Sequence, residues 1–139
     1  MPSSHASVEL LAGPDDVWRF LAEPYHLADW WPNLVAVHPD RLGLAAGARW
    51  RTSSHQATLF RRADSEDTLL VVTADPGSHL TFEFVRARMR AELTLTRSDP
   101  DRTRAELRVS GPLLLGFSRG IARDALTRLH NLVQTAATV

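Results

Sequence analysis

The sharpest chemical pattern in the chain is Gly116-Phe117-Ser118-Arg119-Gly120, a G-x-S-x-G run followed by Asp124 and His130 in the Ser, Asp, His order of α/β-hydrolases. Helix geometry disposes of it. Six residues along a helix rise about 9 Å and turn about 240°, so three side chains at this spacing diverge along and around the rod. A nucleophile elbow also needs a strand before the serine and much more chain to return the histidine, whereas this sequence ends at Val139. The glycines leave two readings open. Either the first turn is irregular and the helix starts near Arg119, or Gly116 and Gly120 leave room for a ligand or for close approach of a sheet.

Other chemistry is narrowed by what is missing. All 16 basic residues are arginine and cysteine is absent. Schiff-base and amine nucleophiles, thiolate catalysis, disulfides and cysteine-bound metals are therefore excluded. Six histidines (His5, His26, His38, His55, His79 and His130) lie mostly in different elements without H-E-x-x-H or H-x-H spacing, so no metal site is expected. No Gly-rich phosphate loop occurs in a βαβ setting, and no cofactor is expected. The candidates for acid/base work are His26 and Asp29, beside the Trp30-Trp31 pair, and His55. Tyr25 is a further candidate. Thr52 and Ser54 join them if Trp50 points inward, Arg51 and His55 if the register is reversed, because a one-residue shift exchanges the two sets.

Sixteen basic against sixteen acidic residues give zero formal net charge, which argues against a nucleic-acid partner. Arg86, Arg88 and Arg90 alternate with Ala87, Met89 and Ala91. Together with Arg104, Glu106 and Arg108, and with Glu83 and Glu92 nearby, they read as a solvated face paired across strands. Apolar runs such as Leu113-Leu114-Leu115 fall far short of the roughly 18 residues of a membrane span, and the first residues do not resemble a secretory signal. A cytoplasmic location and one domain, 1-139, are the expectations.

The elements that must position these residues follow from periodicity. Ala6 to Ala12 reads as a strand stopped by Gly13-Pro14. A short helix from Pro14 ends at Glu23-Pro24, and a helical piece from Tyr25 to Trp31 is stopped by Pro32. Leu34 to His38 is a strand, Asp40 to Gly47 a turn, and 48-62 either one bent strand or a hairpin. Thr68 to Ala74, His79 to Val85, Arg88 to Thr96 and Thr103 to Ser110 alternate as strands. After Gly111-Pro112 a long amphipathic helix carries Leu114, Phe117, Ile121, Ala125, Leu129, Leu132 and Ala136 on one face, widened by Ala122, Leu126 and Val133. The class is α+β, and the closing helix is the only element long enough to cover the sheet.

The inward positions are the informative ones. Leu80, Phe82 and Phe84, then Met89, Ala91, Leu93 and Leu95, then Ala105, Leu107 and Val109 are all apolar. An enzyme working by acid/base catalysis would place such groups against its substrate, and these strands place none there.

Taken in order, Gly13-Pro14-Asp15-Asp16-Val17-Trp18, Leu21-Ala22-Glu23-Pro24 and Leu27-Ala28-Asp29-Trp30-Trp31-Pro32, with the Gly47-Ala48-Arg49-Trp50 turn and the terminal helix, resemble the polyketide cyclase/dehydrase branch of the Bet v 1-like, START-related (SRPBCC) superfamily. The resemblance covers essentially the whole chain. It implies a helix-grip fold: a curved antiparallel sheet of about seven strands around the last helix, with an apolar cavity between them. A wall of Trp30, Trp31, Trp50, Phe82, Phe84, Met89, Leu93, Phe117, Ile121 and Ala125 would bind a small hydrophobic or amphipathic ligand, lipid- or polyketide-like. One alternative is a polyketide cyclase/aromatase-like enzyme using His26, Asp29 or His55. Another is a protein with a filled core that acts by interaction, as in a homodimer.

Overall fold

The computed structural model describes residues 3–57, 62–111 and 120–137, without side chains at 55–57, 62–65 and 135–137. Strand β1 (Ser3–Leu10) leads into α1 (Pro14–Leu21), which starts on a proline with Asp15 and Asp16 in its first turn, where the helix dipole favours negative charge. Pro14, Val17 and Leu21 form its buried side. A 3-10 turn (Pro24–His26) runs into the single-turn helix α2 (Leu27–Trp30). Trp31 is extended, as the residue before a proline must be, and Asn33 turns the chain at a φ of 63°.

The remaining strands are β2 (Leu34–His38), β3 (Arg49–Ala57), β4 (Arg62–Asp75), β5 (His79–Phe84), β6 (Met89–Asp99) and β7 (Arg102–Ser110), before helix α3 (Ile121–Ala137). They form one antiparallel sheet in the order β1-β7-β6-β5-β4-β3-β2. The α+β helix-grip arrangement expected from the sequence is therefore present. Among the described residues no helix is long and apolar enough to cross a membrane.

Among the boundaries that differ from the sequence reading, three have a local reason that bears on the site. The 48-62 stretch is neither one bent strand nor a self-contained hairpin. β3 ends at Ala57, which faces Arg62, and β4 then runs without a break through Ser65-Glu66-Asp67 into the strand expected at 68–74. Continuous pairing with β3 holds those polar residues in the sheet. Arg88 belongs to the turn and not to β6, because its φ of 56° is left-handed. The third difference is the start of α3: its first residue is Ile121, close to the Arg119 start, with Gly120 exposed. Among the described residues a Cβ at Gly120 would meet only Asp124 Oδ2 at 4.0 Å, so none of them requires a glycine here by close approach. Gly116, Phe117 and Ser118 lie outside the described residues.

Nor does α3 cover the sheet alone. It packs chiefly on β1 and β7 and against α2, and the backbone N–H of Ala122 donates to Ser4 Oγ at 3.3 Å. Its buried side centres on Ala122, Ala125, Leu126, Leu129 and Val133, while Ile121 and Leu132 are only partly buried. Over β5 the cover comes from the two tryptophans at the end of α2.

Candidate functional site

Four aromatic side chains build the centre of the site. Phe82 and Phe84 share one face of β5 by period-two alternation, and α2 with its extended end delivers Trp30 and Trp31 onto them. The ring centroid of Phe82 lies 5.2 Å from Trp31, 6.3 Å from Trp30 and 5.9 Å from Phe84, all edge-to-face. Trp31 meets Trp30 at 5.6 Å and Phe84 at 5.7 Å. These separations suit the quadrupoles of aromatic pairs. Across the strand pair, Ala91 stands opposite Phe82 and Met89 opposite Phe84, so a small residue makes room for the ring at the centre and a flexible one lies at the edge.

Around the cluster the inward face is apolar, as its alternation predicts. Leu80, Ala91, Leu93, Leu95, Ala105, Leu107 and Val109 are all buried. The buried polar side chains are Ser4, Thr52 and Thr103, and each has a partner. Ser4 Oγ accepts from Ala122, Thr52 Oγ1 donates to the Asp67 carbonyl at 3.2 Å, and Thr103 Oγ1 donates to the Ala12 carbonyl at 2.7 Å. Among the described residues no buried side-chain nitrogen or oxygen lacks a partner. Among the described residues the inward face of β5, β6 and β7 therefore offers a substrate no acid or base.

The acid/base candidates are not gathered on this cluster. His26 stacks on Phe20, with centroids 4.1 Å apart, and its Nδ1 lies 2.7 Å from the Phe20 carbonyl, which fixes the ring by a hydrogen bond within its own loop. Asp29 is exposed, as is Tyr25. Trp50 does point inward, with Thr52 on its side of β3 and Arg51 exposed on the other. The backbone of His55 pairs with Asp64, while its side chain lies outside the described residues.

The expected cavity wall divides. Trp30, Trp31, Phe82, Phe84, Leu93 and Ala125 are buried, Met89 and Ile121 partly so, and Phe117 lies outside the described residues. Trp50 is buried too, but its indole N–H donates to the Gly43 carbonyl at 3.1 Å and so pins the loop before β3. A concavity of about 300 Å³ opens at the β5–β6 turn, with Phe84 and Met89 as its apolar part and Glu83, Arg88 and Arg90 around them. Through Phe84 it reaches the aromatic cluster.

The strand order, the α2 tryptophans and the closing helix can now be set beside known proteins. Over residues 1–137 the sequence matches the family model described as polyketide cyclase / dehydrase and lipid transport. The chain belongs to this family. No curated protein matches it. Among solved structures, this polyketide cyclase/dehydrase-family chain is similar to a Deinococcus radiodurans protein, at 12% identity and a TM-score of 0.73 over 97% of this chain and 99% of that one. A Nitrosomonas europaea protein gives 18% identity and 0.72 over 99% and 97%. The di-domain ARO/CYC BexL gives 17% and 0.72, matching all of this chain and 48% of its own. These likenesses show that the fold described above is also that of these proteins.

One feature had no signal in the sequence. Asp67 turns its carboxylate onto the β5–β6 turn, accepting from the backbone N–H groups of Thr68 at 2.7 Å, Arg86 at 2.7 Å and Ala87 at 3.0 Å. Arg90, expected on a solvated face paired across strands with Glu83 and Glu92 nearby, does bridge Glu83 at 2.6 Å and Glu92 at 3.3 Å. The Glu83 hydrogen bond, against some desolvation and with help from Glu92, raises the Arg90 pKa. Asp67, by contrast, could not be matched to its turn without the register.

Proposed function

We propose that this protein binds a small hydrophobic or amphipathic molecule against the aromatic cluster of Trp30, Trp31, Phe82 and Phe84, entering beside Phe84 and Met89. The observation that carries the reading is the inward face of β5, β6 and β7, apolar except for Thr103 near the start of β7, whose hydroxyl is already hydrogen-bonded to the Ala12 carbonyl. Such a surface gives affinity through desolvation and shape, and it has nothing to move a proton with. The family description covers both cyclase/dehydrase and lipid-transport members, and this face favours the binding side of that range. His26, engaged by the Phe20 ring and carbonyl, and Asp29, exposed to solvent, support the same preference.

A second reading has its own observation. The four rings pack on one another at 5.2–6.3 Å, as they would in a filled core whose role is interaction, including pairing with a second copy. Titration with 1-anilinonaphthalene-8-sulfonate separates the two. Ligand binding predicts saturable quenching of tryptophan emission that Phe84→Ala weakens, whereas a filled core predicts no saturation in either protein.

A further inference from the structure

A second concavity, of about 550 Å³, lies away from the aromatic cluster, where β2, β3 and β4 meet the β5–β6 turn. Beside the exposed Val85, its walls carry polar and charged side chains. Arg51 and Ser53 alternate along β3 with the buried Trp50 and Thr52, so they face out of the core. Arg51 lies between His38 of β2 and Thr68 of β4 in the register, and the Thr68 carbonyl accepts from Val85 at 2.9 Å, bringing the turn alongside. Arg86 follows in that turn.

The charges in this concavity are unequally committed. Arg51, His38 and Glu66 make no side-chain hydrogen bond or ion pair among the described residues. Arg86 reaches the Glu66 backbone carbonyl with Nη1 at 3.5 Å, a weak contact that leaves most of its donors free. Asp67 also lines the concavity, but its carboxylate is occupied by three backbone N–H groups, one of them that of Arg86 itself. Two guanidiniums and two carboxylates therefore line the concavity with the Ser53 and Thr68 hydroxyls, and of the two carboxylates only Glu66 has its oxygens free of donors among the described residues. Asp67 fixes the backbone from which Arg86 projects, which limits where that cation can reach.

We propose that this concavity binds an oxyanion, a phosphate or carboxylate group, between the Arg51 and Arg86 guanidiniums. Planar guanidinium forks match both oxyanions, and two of them lining one concavity offer more donors than an isolated surface arginine. Glu66 and Asp67 both oppose the ligand's charge, and Glu66, whose oxygens have no donor among the described residues, can be changed without releasing the turn. The proposal is independent of the ligand that the aromatic cluster takes.

Calorimetric titration with inorganic phosphate and with acetate, at constant ionic strength set by sodium chloride, tests it. At least one of the two saturates the wild-type protein, and which one does so assigns the oxyanion. Arg51→Gln and Arg86→Gln each weaken binding by about tenfold, as removal of a charge-assisted hydrogen bond requires, while Glu66→Gln strengthens it. Both arginines are exposed, so the variants keep the wild-type melting temperature. Absence of saturation by either anion, equal affinity in the arginine variants, or weakening by Glu66→Gln would each overturn the assignment.

Discussion

Replacing Phe82 by alanine tests whether the aromatic cluster is packed as described. The ring is 2% exposed and lies edge-on to Trp30, Trp31 and Phe84. Its cross-strand neighbour is Ala91, too small to fill the space, and the tryptophans are fixed by the turn into Pro32, so the site collapses little. Phe→Ala changes in such places cost about 3–5 kcal/mol, and because the ring also sits edge-on to three other aromatics a value of about 4 kcal/mol is expected. That is a large part of the roughly 5–15 kcal/mol by which a domain is stable, and it lowers Tm by about 12 °C at about 3 °C per kcal/mol. Urea unfolding followed by tryptophan emission, with calorimetry beside it, measures both quantities. Thr81→Ala, next door on the opposite and partly exposed face, serves as the control, with a change of about 0.5 kcal/mol or less. A cost below about 1.5 kcal/mol for Phe82→Ala, at an unchanged urea slope, would refute the packing on which both readings of the cluster depend.

Two further substitutions probe the turn that borders both concavities. Asp67→Ala removes the acceptor of three backbone N–H groups, two of them partly buried, and should cost about 2–4 kcal/mol; amide hydrogen exchange should rise at Thr68, Arg86 and Ala87 before it does elsewhere. Uniform exchange across the sheet would show that the carboxylate does not clamp this turn. Arg88→Gly relieves a left-handed backbone and should leave stability unchanged or raise it by up to about 1 kcal/mol, as thermal unfolding would show; clear destabilisation would mean that the Arg88 side chain holds the turn.

Strand alternation was the most legible signal in this sequence, and the site follows its logic only in part. Leu80-x-Phe82-x-Phe84 and Met89-x-Ala91-x-Leu93-x-Leu95 face inward as written, because a half-buried antiparallel strand leaves little freedom in register. The family resemblance rested on the Pro-punctuated segments around α1 and α2, and those segments do bring Trp30 and Trp31 onto the sheet. What could not be read were relations between distant residues. The polar stretch from Arg62 to Asp67 has no alternation of its own and is a strand because β3 holds it. Arg88 continues the alternation of β6 but takes a turn conformation, and nothing in its residue type says so. The pinning of Trp50 to Gly43 and of His26 to Phe20 depends on loop paths, so two residues that looked available for a ligand or a proton have other partners. Asp67 and Arg86 meet only because the fold brings a strand against a turn 19 residues later.

Whether the apolar face between the sheet and its cover holds a small molecule is tested most directly by native mass spectrometry of the protein purified from its source under non-denaturing conditions. Binding at the aromatic cluster predicts a population heavier than the chain by the mass of one small molecule, released on denaturation and diminished in a Phe84→Ala protein prepared in the same way. A mass equal to the chain alone in every preparation, together with no saturable uptake of added apolar probes, would contradict it.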